Sequence, residues 1–365
     1  MESNNKEIRH LAMIMGARPN FIKAASLCAE VKNHPEFKLT LIHTGQHFDK
    51  NMSDIFFEEM RIPRPQVTLN IMADRHSEKI GRMFNSLQAT LSELSPDGVL
   101  VFGDVNSTLA GALASAKNRI PLIHVEAGLR SHDRRMPEEI NRVIVDHLSD
   151  VLFTTEPSAD ENLKREGIDP SRIHHVGNLM IESLERYRDD IDSSRVLDTV
   201  NHKDYFIATI HRQENTDDRT SLERVLFLLD RISRKKPVIF PLHPGTRKKI
   251  EGYGLSELLS NLSVIEPLGY FDFIKLVQES SGVITDSGGI QEETTHLGVP
   301  CATLRDNTER PITVEAGSNR LFDIRSISPK EILLHFSRSY PARPIPLWDD
   351  KVSKRIFKSL HTFFK

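Results

Sequence analysis

One rhythm constrains what this chain can fold into. Short apolar runs, each closing on a glycine or a small polar residue, alternate with longer runs at helical spacing. "HLAMIM" ends at Gly16 and leads into "RPNFIKAASLCAEV", and "KLTLIHT" ends at Gly45. "DGVLVFGD" precedes "NSTLAGALASAKN", and "PLIHVEAG" precedes a helix starting near Pro137. "DVLFTT" precedes "SADENLKREG", and "IHHVGN" opens "LMIESLERYRDD". Strand followed by amphipathic helix, repeated, implies a parallel sheet covered by helices.

The rhythm pauses over the polar stretch 186–203, "YRDDIDSSRVLDTVNHK", and then restarts with "YFIATI", "LERVLFLLDRIS", "PVIFPL", "LSVIEPL", "FDFIKLVQESS", "GVITDSGG" and "VPCATL". A chain of 365 residues is long enough for two domains at roughly 100–200 residues each. The expected fold is α/β, with two Rossmann-like domains and a cleft between them. The first covers residues 1–185, the second 200–345, and an amphipathic helix over 349–365 packs back on the first. In such sheets ligands sit beyond the carboxyl ends of the strands.

Composition narrows the partners. The net charge of −3 carries no basic excess that would point to nucleic acid or a membrane surface. No apolar run approaches the length of about 18 residues needed for a membrane span. The opening "MESNNKEIRH" has no apolar signal core. Cys28 and Cys301 are the two cysteines. They argue against a disulfide framework and for a reducing compartment, so a cytoplasmic protein is expected.

The strongest local signal is "GVITDSGGIQEETTHLGVP". A strand ends at Thr285 and a helix begins at Ser287 or Gly288. Gly288 and Gly289 let a ligand approach the backbone, and the helix N-terminus presents N–H groups to a diphosphate. Glu292 and Glu293, one turn in, offer carboxylates for a ribose hydroxyl pair. The plain alternative is a helix cap with an acidic first turn. "MGARPNFIKA" repeats the device, with Arg18 and Lys23 as fixed charges near a strand end. Asp104 in "VFGDVNST" follows a buried strand, His211 in "TIHRQEN" follows the first strand of the second domain, and His243 in "FPLHPGTRKK" repeats that pattern.

"HVEAGLRSHDRRMPEEINR" is unusually charged for a stretch between apolar runs. Glu126 ends a strand. From Pro137 a helix places Glu138, Asn141 and Arg142 on one face, which is expected to look toward the ligand. Ile140, Val143, Ile144 and His147 are expected to form its core face. There is no "GxxxxGK[ST]", no "HExxH" and no cysteine cluster, which weighs against phosphoryl transfer and a zinc site.

With "GARP", "TGQH", "GDVNST", "HVEAGLRS", "MPEEINR", "HRQEN", "SGGIQEE" and "TERP" in this order, the chain resembles the non-hydrolysing UDP-N-acetylglucosamine 2-epimerases over nearly its whole length. The resemblance implies a GT-B-like fold, a homodimer, and no cofactor or metal. It implies inversion at C2 to give UDP-N-acetylmannosamine for cell-surface polysaccharide precursors, by elimination of UDP to 2-acetamidoglucal and re-addition. It assigns Asp104, Glu126, Glu138, Arg142 and His211 as catalytic. Arg18, Lys23, Ser287, Gly288, Gly289 and Glu293 fall to the UDP moiety, with His243 grouped beside them. Gln46, His47 and Arg75 fall to a second, activating UDP-sugar site. Val105 and Phe48 depart from the commoner family residues at their positions. Two readings compete: a 2-epimerase of a modified UDP-2-acetamido sugar (a diacetamido uronic acid or a 6-deoxy amino sugar), and a GT-B glycosyltransferase. A catalytically silent UDP-sugar-binding protein is a third.

Overall fold

A computed structural model describes residues 8–45, 50–69, 71, 76–315, 317–338, 340 and 344–365. Two compact units emerge. One comprises Met1–Arg186 with Pro346–Lys365, the other Tyr187–Ile345.

In the first unit the strands are β1 (Arg9–Met15), β2 (Phe37–His43), β3 (Val67–Thr68), β4 (Gly98–Phe102), β5 (Leu122–Ala127), β6 (Val151–Thr154) and β7 (Ile173–His175). The helices that connect them are α1 (Arg18–Glu30), α2 (Lys50–Glu59), α3 (His76–Leu94), α4 (Asn106–Asn118), α5 (Pro137–Leu148) and α6 (Pro157–Arg165), followed by α7 (Leu179–Arg186). Among the described residues the sheet runs β3-β2-β1-β4-β5-β6-β7, every pair parallel. Every residue of β4 and β5 is buried, as a parallel sheet covered on both faces requires. That double burial is why the strands read as unbroken apolar runs rather than alternating ones.

The second unit holds α8 (Arg188–Asp192), β8 (Phe206–Thr209), α9 (Gln213–Thr216), α10 (Arg219–Ser233), β9 (Val238–Pro241), α11 (Pro244–Gly252) and β10 (Ser263–Ile265). It continues with α12 (Tyr270–Gln278), β11 (Val283–Thr285), α13 (Gly288–Leu297), β12 (Cys301–Thr303), α14 (Pro311–Glu315), β13 (Asn319–Leu321) and α15 (Pro329–Phe336). Its sheet order is β10-β9-β8-β11-β12-β13, again parallel throughout. Counted from its own first strand, this is the order of a dinucleotide-binding fold, which reverses direction between its first and fourth strands. The first unit reverses in the same way between β1 and β4. Each unit therefore has a topological switch point, at β1/β4 and at β8/β11, where ligands of such sheets bind.

The chain ends in α16 (Val352–Phe363), which belongs to the first unit. Val352, Ile356, Phe357 and Leu360 form its buried stripe. Its first turn is held by the fully buried Glu182, whose carboxylate accepts the backbone N–H of Ser353 at 2.6 Å. The Trp348 indole donates to the Thr155 carbonyl at 2.9 Å, and the Arg355 Nε donates to the Val176 carbonyl at 2.7 Å.

Candidate active site

In the first unit, the carboxyl ends of the adjacent strands β4 and β5 carry Asp104 and Glu126. Asp104 follows the turn at Gly103 and remains partly exposed, its side chain accepting Arg142 Nε at 2.9 Å. Asn141 Nδ2 donates to the Asp104 carbonyl at 2.7 Å, so two residues of α5 fix this turn. Glu126 is buried with a φ of +69°, at the irregularity where β5 shifts register against β6. Such a backbone is uncommon for a residue with a Cβ and needs support from its surroundings. Support comes from Lys23 of α1, itself buried, whose Nζ is ion-paired with Glu126 Oε2. Gly103 has a φ of +57°, and a Cβ there would lie 2.9 Å from Glu126 Oε2, so only glycine lets the two strand ends come this close.

Arg18 opens α1, with its guanidinium 4.7 Å over the Phe56 ring. The start of that helix is partly closed: Asn20 Oδ1 accepts the N–H groups of Gly16 at 3.1 Å and Ala17 at 3.2 Å.

Asn141 and Arg142 of α5 do turn toward Asp104, but the face expected to be core is not the buried one. The buried residues of the helix are Glu139, Asn141, Arg142, Val145 and Asp146. Ile140 and Ile144 are 46% and 37% exposed, and His147 is exposed as well. The inward face is mixed: Val145 joins the apolar core with Val101 and Leu122, while the polar side chains meet turns whose N–H groups and charges need partners. Glu139 accepts the backbone N–H of Ser131 and of His132, both at 2.9 Å, and Arg142 Nη1 at 2.5 Å. Glu138 is half-buried in the first turn, and its carboxylate makes no hydrogen bond or ion pair to a described residue. The buried carboxylate of "MPEEINR" is therefore Glu139, one position on. The loop "GLRSHDRR" is not simply solvated: Arg130 is buried, paired with Asp146 at 2.7 Å and Glu166 at 2.7 Å.

In the second unit the switch point carries His211 and Asp286. Asp286 is fully buried after β11 and accepts the backbone N–H groups of His211 at 3.1 Å and Arg212 at 3.0 Å, and Asn215 Nδ2 at 3.1 Å. His211 Nδ1 is 3.2 Å from Asp286 Oδ1, while its ring remains about half exposed. Next to it Ser287 precedes α13 with no side-chain cap hydrogen bond, so its first turn, Gly288 and Gly289 included, presents backbone N–H groups. Glu292 is fully buried and pairs with Arg310 Nε at 2.9 Å, and Arg310 also pairs with Glu309. Arg305 reaches Glu309 at 2.9 Å and Arg212 reaches it at 3.6 Å. Glu293 is buried on the same helix. His243 is the exposed N-cap of α11, its Nδ1 accepting the Gly245 N–H at 3.1 Å.

The structure thus brings together Asp104 with Arg142, Glu126 with Lys23, and His211 with the Ser287–Glu293 helix start. Glu138 lies one turn before Arg142 on α5, Arg18 opens α1 and His243 caps α11. Gln46, His47 and Arg75 lie outside the described residues. Asp286 carries the same signal that marked Asp104, an acid directly after a buried strand, and was missed. Glu309 and Arg310 belong to "TERP", whose sequence carries no local sign that Arg310 pairs with Glu292. Among the described residues no group of three or more His, Cys, Asp or Glu side chains is placed to hold a metal ion, and no helix is long and apolar enough to cross a membrane.

Comparison with known proteins identifies the arrangement. The profile of the family described as UDP-N-acetylglucosamine 2-epimerase matches residues 29–361. A UDP-N-acetylglucosamine 2-epimerase homolog of Methanococcus maripaludis is 45% identical over 339 residues, 91% of this chain and 93% of that one. The UDP-2,3-diacetamido-2,3-dideoxy-D-glucuronate 2-epimerase of Pseudomonas aeruginosa is 43% identical over 311 residues, 84% of this chain and 86% of that one. The crystal structure of Methanocaldococcus jannaschii UDP-GlcNAc 2-epimerase in complex with UDP-GlcNAc and UDP matches with a TM-score of 0.90 at 38% identity, covering 97% of this chain and 99% of that one. The α/β architecture with two Rossmann-like domains is thus shared with solved epimerases, and the chain belongs to the non-hydrolysing UDP-N-acetylglucosamine 2-epimerase family.

Proposed function

We propose that this protein interconverts UDP-N-acetylglucosamine and UDP-N-acetylmannosamine. The observation that carries the reading is the pair of carboxylates, Asp104 and Glu126, at adjacent strand ends, each ion-paired with a basic side chain. The C2 proton of the sugar is barely acidic, because no carbonyl is attached to that carbon. Elimination avoids a free carbanion. A carboxylate takes the C2 proton as the C1–O bond breaks, the bond's electron pair leaves on the β-phosphate oxygen, and a C1=C2 glycal forms. Re-addition returns a proton to the other face of C2 while the phosphate oxygen bonds to C1.

The residues supply what those steps need. Asp104 and Glu126 are the acid–base groups, and a positioned carboxylate contributes about 10²–10⁴-fold to such a proton transfer. Arg142, Arg18, His211 and the start of α13 offer positive charge to the departing diphosphate. Glu293 serves the ribose, and Ser287, Gly288 and Gly289 the phosphates. Glu138 and His243 join the set as substrate contacts, and Gln46, His47 and Arg75 as a second UDP-sugar site. The active form we propose is a homodimer acting in the cytoplasm. The exposed Ile140 and Ile144 on α5 and the two free, buried cysteines support these two points.

The 43% identity to an epimerase of a diacetamido glucuronate favours one other reading, the same chemistry on a more heavily substituted sugar. Proton NMR of UDP-N-acetylglucosamine incubated with the protein in heavy water, with no acceptor present, tests both. The expected result is a second anomeric resonance and deuterium at C2. Product that keeps its C2 proton overturns elimination and re-addition. Turnover of the diacetamido uronate alone selects the other sugar, and turnover only with an acceptor selects glycosyl transfer.

A further inference from the structure

Behind the two carboxylate-bearing turns, the first unit seals a second set of charges that the reaction does not consume. His124, inside β5, and Asp146, on α5, are both 0% exposed. His124 Nδ1 lies 2.6 Å from Asp146 Oδ1, and its Nε2 lies 2.8 Å from the carbonyl oxygen of Gly103. A carbonyl oxygen only accepts, so Nε2 carries a proton. Asp146 Oδ2 meets two more donors, the Gly128 N–H at 3.1 Å and Arg130 Nη1 at 2.7 Å. A carboxylate surrounded by donors is an acceptor, so Nδ1 must also carry a proton.

We propose that His124 is held as a doubly protonated imidazolium, and that His124 and Asp146 are positioning residues that lock the Asp104 turn and the Glu126 turn to one helix. The connections run both ways from Asp146. Through His124 it holds the Gly103 carbonyl, one residue before Asp104. Through the Gly128 N–H and Arg130 it holds the loop that begins directly after Glu126. The same helix grips the Asp104 turn again through Asn141 and Arg142. Burial alone would raise Asp146, yet His124 and Arg130 hold its carboxyl below the usual carboxylate range. The other charges around the pair are already matched. Arg130 is shared with Glu166, Lys23 pairs with Glu126, and Arg142 pairs with Asp104 and Glu139. A neutral His124 would leave Asp146 with one cation fewer in a sealed site, where a buried charge is costly unless paired.

The positioning role rests on Asp104 and Glu126 being the acid–base groups; the protonation state does not. Two experiments separate them. Nitrogen-15 NMR of histidine-labelled wild-type protein at about pH 8, where free imidazole is neutral, reads His124 directly. Protonated-type shifts on both ring nitrogens are expected, and a neutral tautomer overturns the proposal whether or not the protein turns over the sugar. In the Asp146→Asn variant the amide can donate to Nδ1 while its oxygen keeps Gly128 and Arg130. His124 should turn neutral there with its bonds intact. Kinetics then test positioning. Asp146→Ala and His124→Ala should lose on the order of 100-fold in kcat, the cost of displacing a reacting group by about 1 Å, with KM little changed. Asp146→Asn should stay within about tenfold of wild type, since the anchoring bonds survive. Equal loss in Asn and Ala variants, or a loss confined to KM, overturns the positioning role.

Discussion

The imidazole Nδ1 of His211 lies 3.2 Å from Oδ1 of Asp286, and the same carboxylate takes the backbone N–H groups of His211 and Arg212. One buried acid therefore sets the strand end, the first bend of the following loop and the ring orientation together. His211 itself stays half exposed at the β8/β11 switch point, where a ligand is expected. Replacing His211 with alanine should lower kcat by about 10²–10³-fold, the usual worth of one group that stabilises developing charge. UDP affinity, measured by titration calorimetry, should fall far less. Turnover near wild type in steady-state assays would remove His211 from the reacting set.

The pairing of Lys23 with Glu126 leads to a stability prediction as well as an activity one. Both groups are about 95% buried, each being 5% exposed. Lys23→Met keeps the aliphatic volume and removes the charge. Glu126 then sits buried without its cation, a change that costs about 3–5 kcal/mol when one partner of a buried pair is removed. Urea denaturation should show a lower midpoint at unchanged slope. Turnover should fall too, because the positive φ of Glu126 loses part of its support. An unchanged midpoint would mean that the pair is not a structural tie.

Gly288 tests the second unit. A Cβ there would lie 2.4 Å from Arg310 Nη1 and 2.7 Å from Glu309 Oε1. Arg310 cannot easily yield, since Glu292 and Glu309 hold it and it is only 7% exposed. Gly288→Ala should cost about 1–3 kcal/mol, typical of overpacking, and weaken UDP binding by moving the first turn of α13. Calorimetry with UDP and a denaturation curve read the two effects separately. A variant that binds UDP like wild type would show that the phosphates do not approach this turn.

What was legible in the sequence follows from which physics leaves a local mark. Strands buried on both faces read as solid apolar runs, so β4, β5, β8 and β11 announced themselves, and their ends pointed to Asp104, Glu126 and His211. Asp286 bears the same mark but lies beside the glycines of "DSGG", whose helix-start signal is the stronger one. In helix α5 the apolar stripe is not the inward face, so periodicity points the wrong way there. Ile140 and Ile144 are exposed, and the inward face answers to Asp104, Arg130 and the Ser131–His132 backbone instead. No local pattern announces such partners, since they lie 7 to 38 positions away. The positive φ of Glu126 and the role of His124 are equally invisible without the neighbouring strand and helix.

Histidines whose burial disfavours the charged form weaken the fold on acidification: His10 and His174 act this way alongside His43 and His335, and a charged His124 acts against them. Burial lowers the pKa of His43 and of His335; in His335 the hydrogen bond to the Cys301 carbonyl opposes but does not cancel it. A group whose folded pKa lies below its unfolded value, about 6.5 for histidine, contributes stability that is complete above that value. As pH falls through about 6.5 the unfolded chain takes up protons that the folded chain refuses, so stability declines. Urea midpoints should drop between about pH 7.5 and 5.5. His43→Phe should flatten the decline, because a ring there still packs on Phe21 and Phe57. A midpoint that rises on acidification would contradict the assignment.

The cysteines should be silent in the folded protein. Cys28 on α1 is 5% exposed, and burial pushes its thiol up to about 12 against the opposing pull of Lys32. Cys301 on β12 is fully buried, and burial raises it to about 11, with Thr294 and Thr303 opposing. The thiolate is the reactive form, so at about pH 8 both side chains stay protonated as well as shielded. Incubation with an alkylating reagent should add no mass to the native protein and leave turnover intact, while the same reagent in guanidinium should add two labels. Labelling of either residue under native conditions would show that its surroundings open far more often than the packing implies.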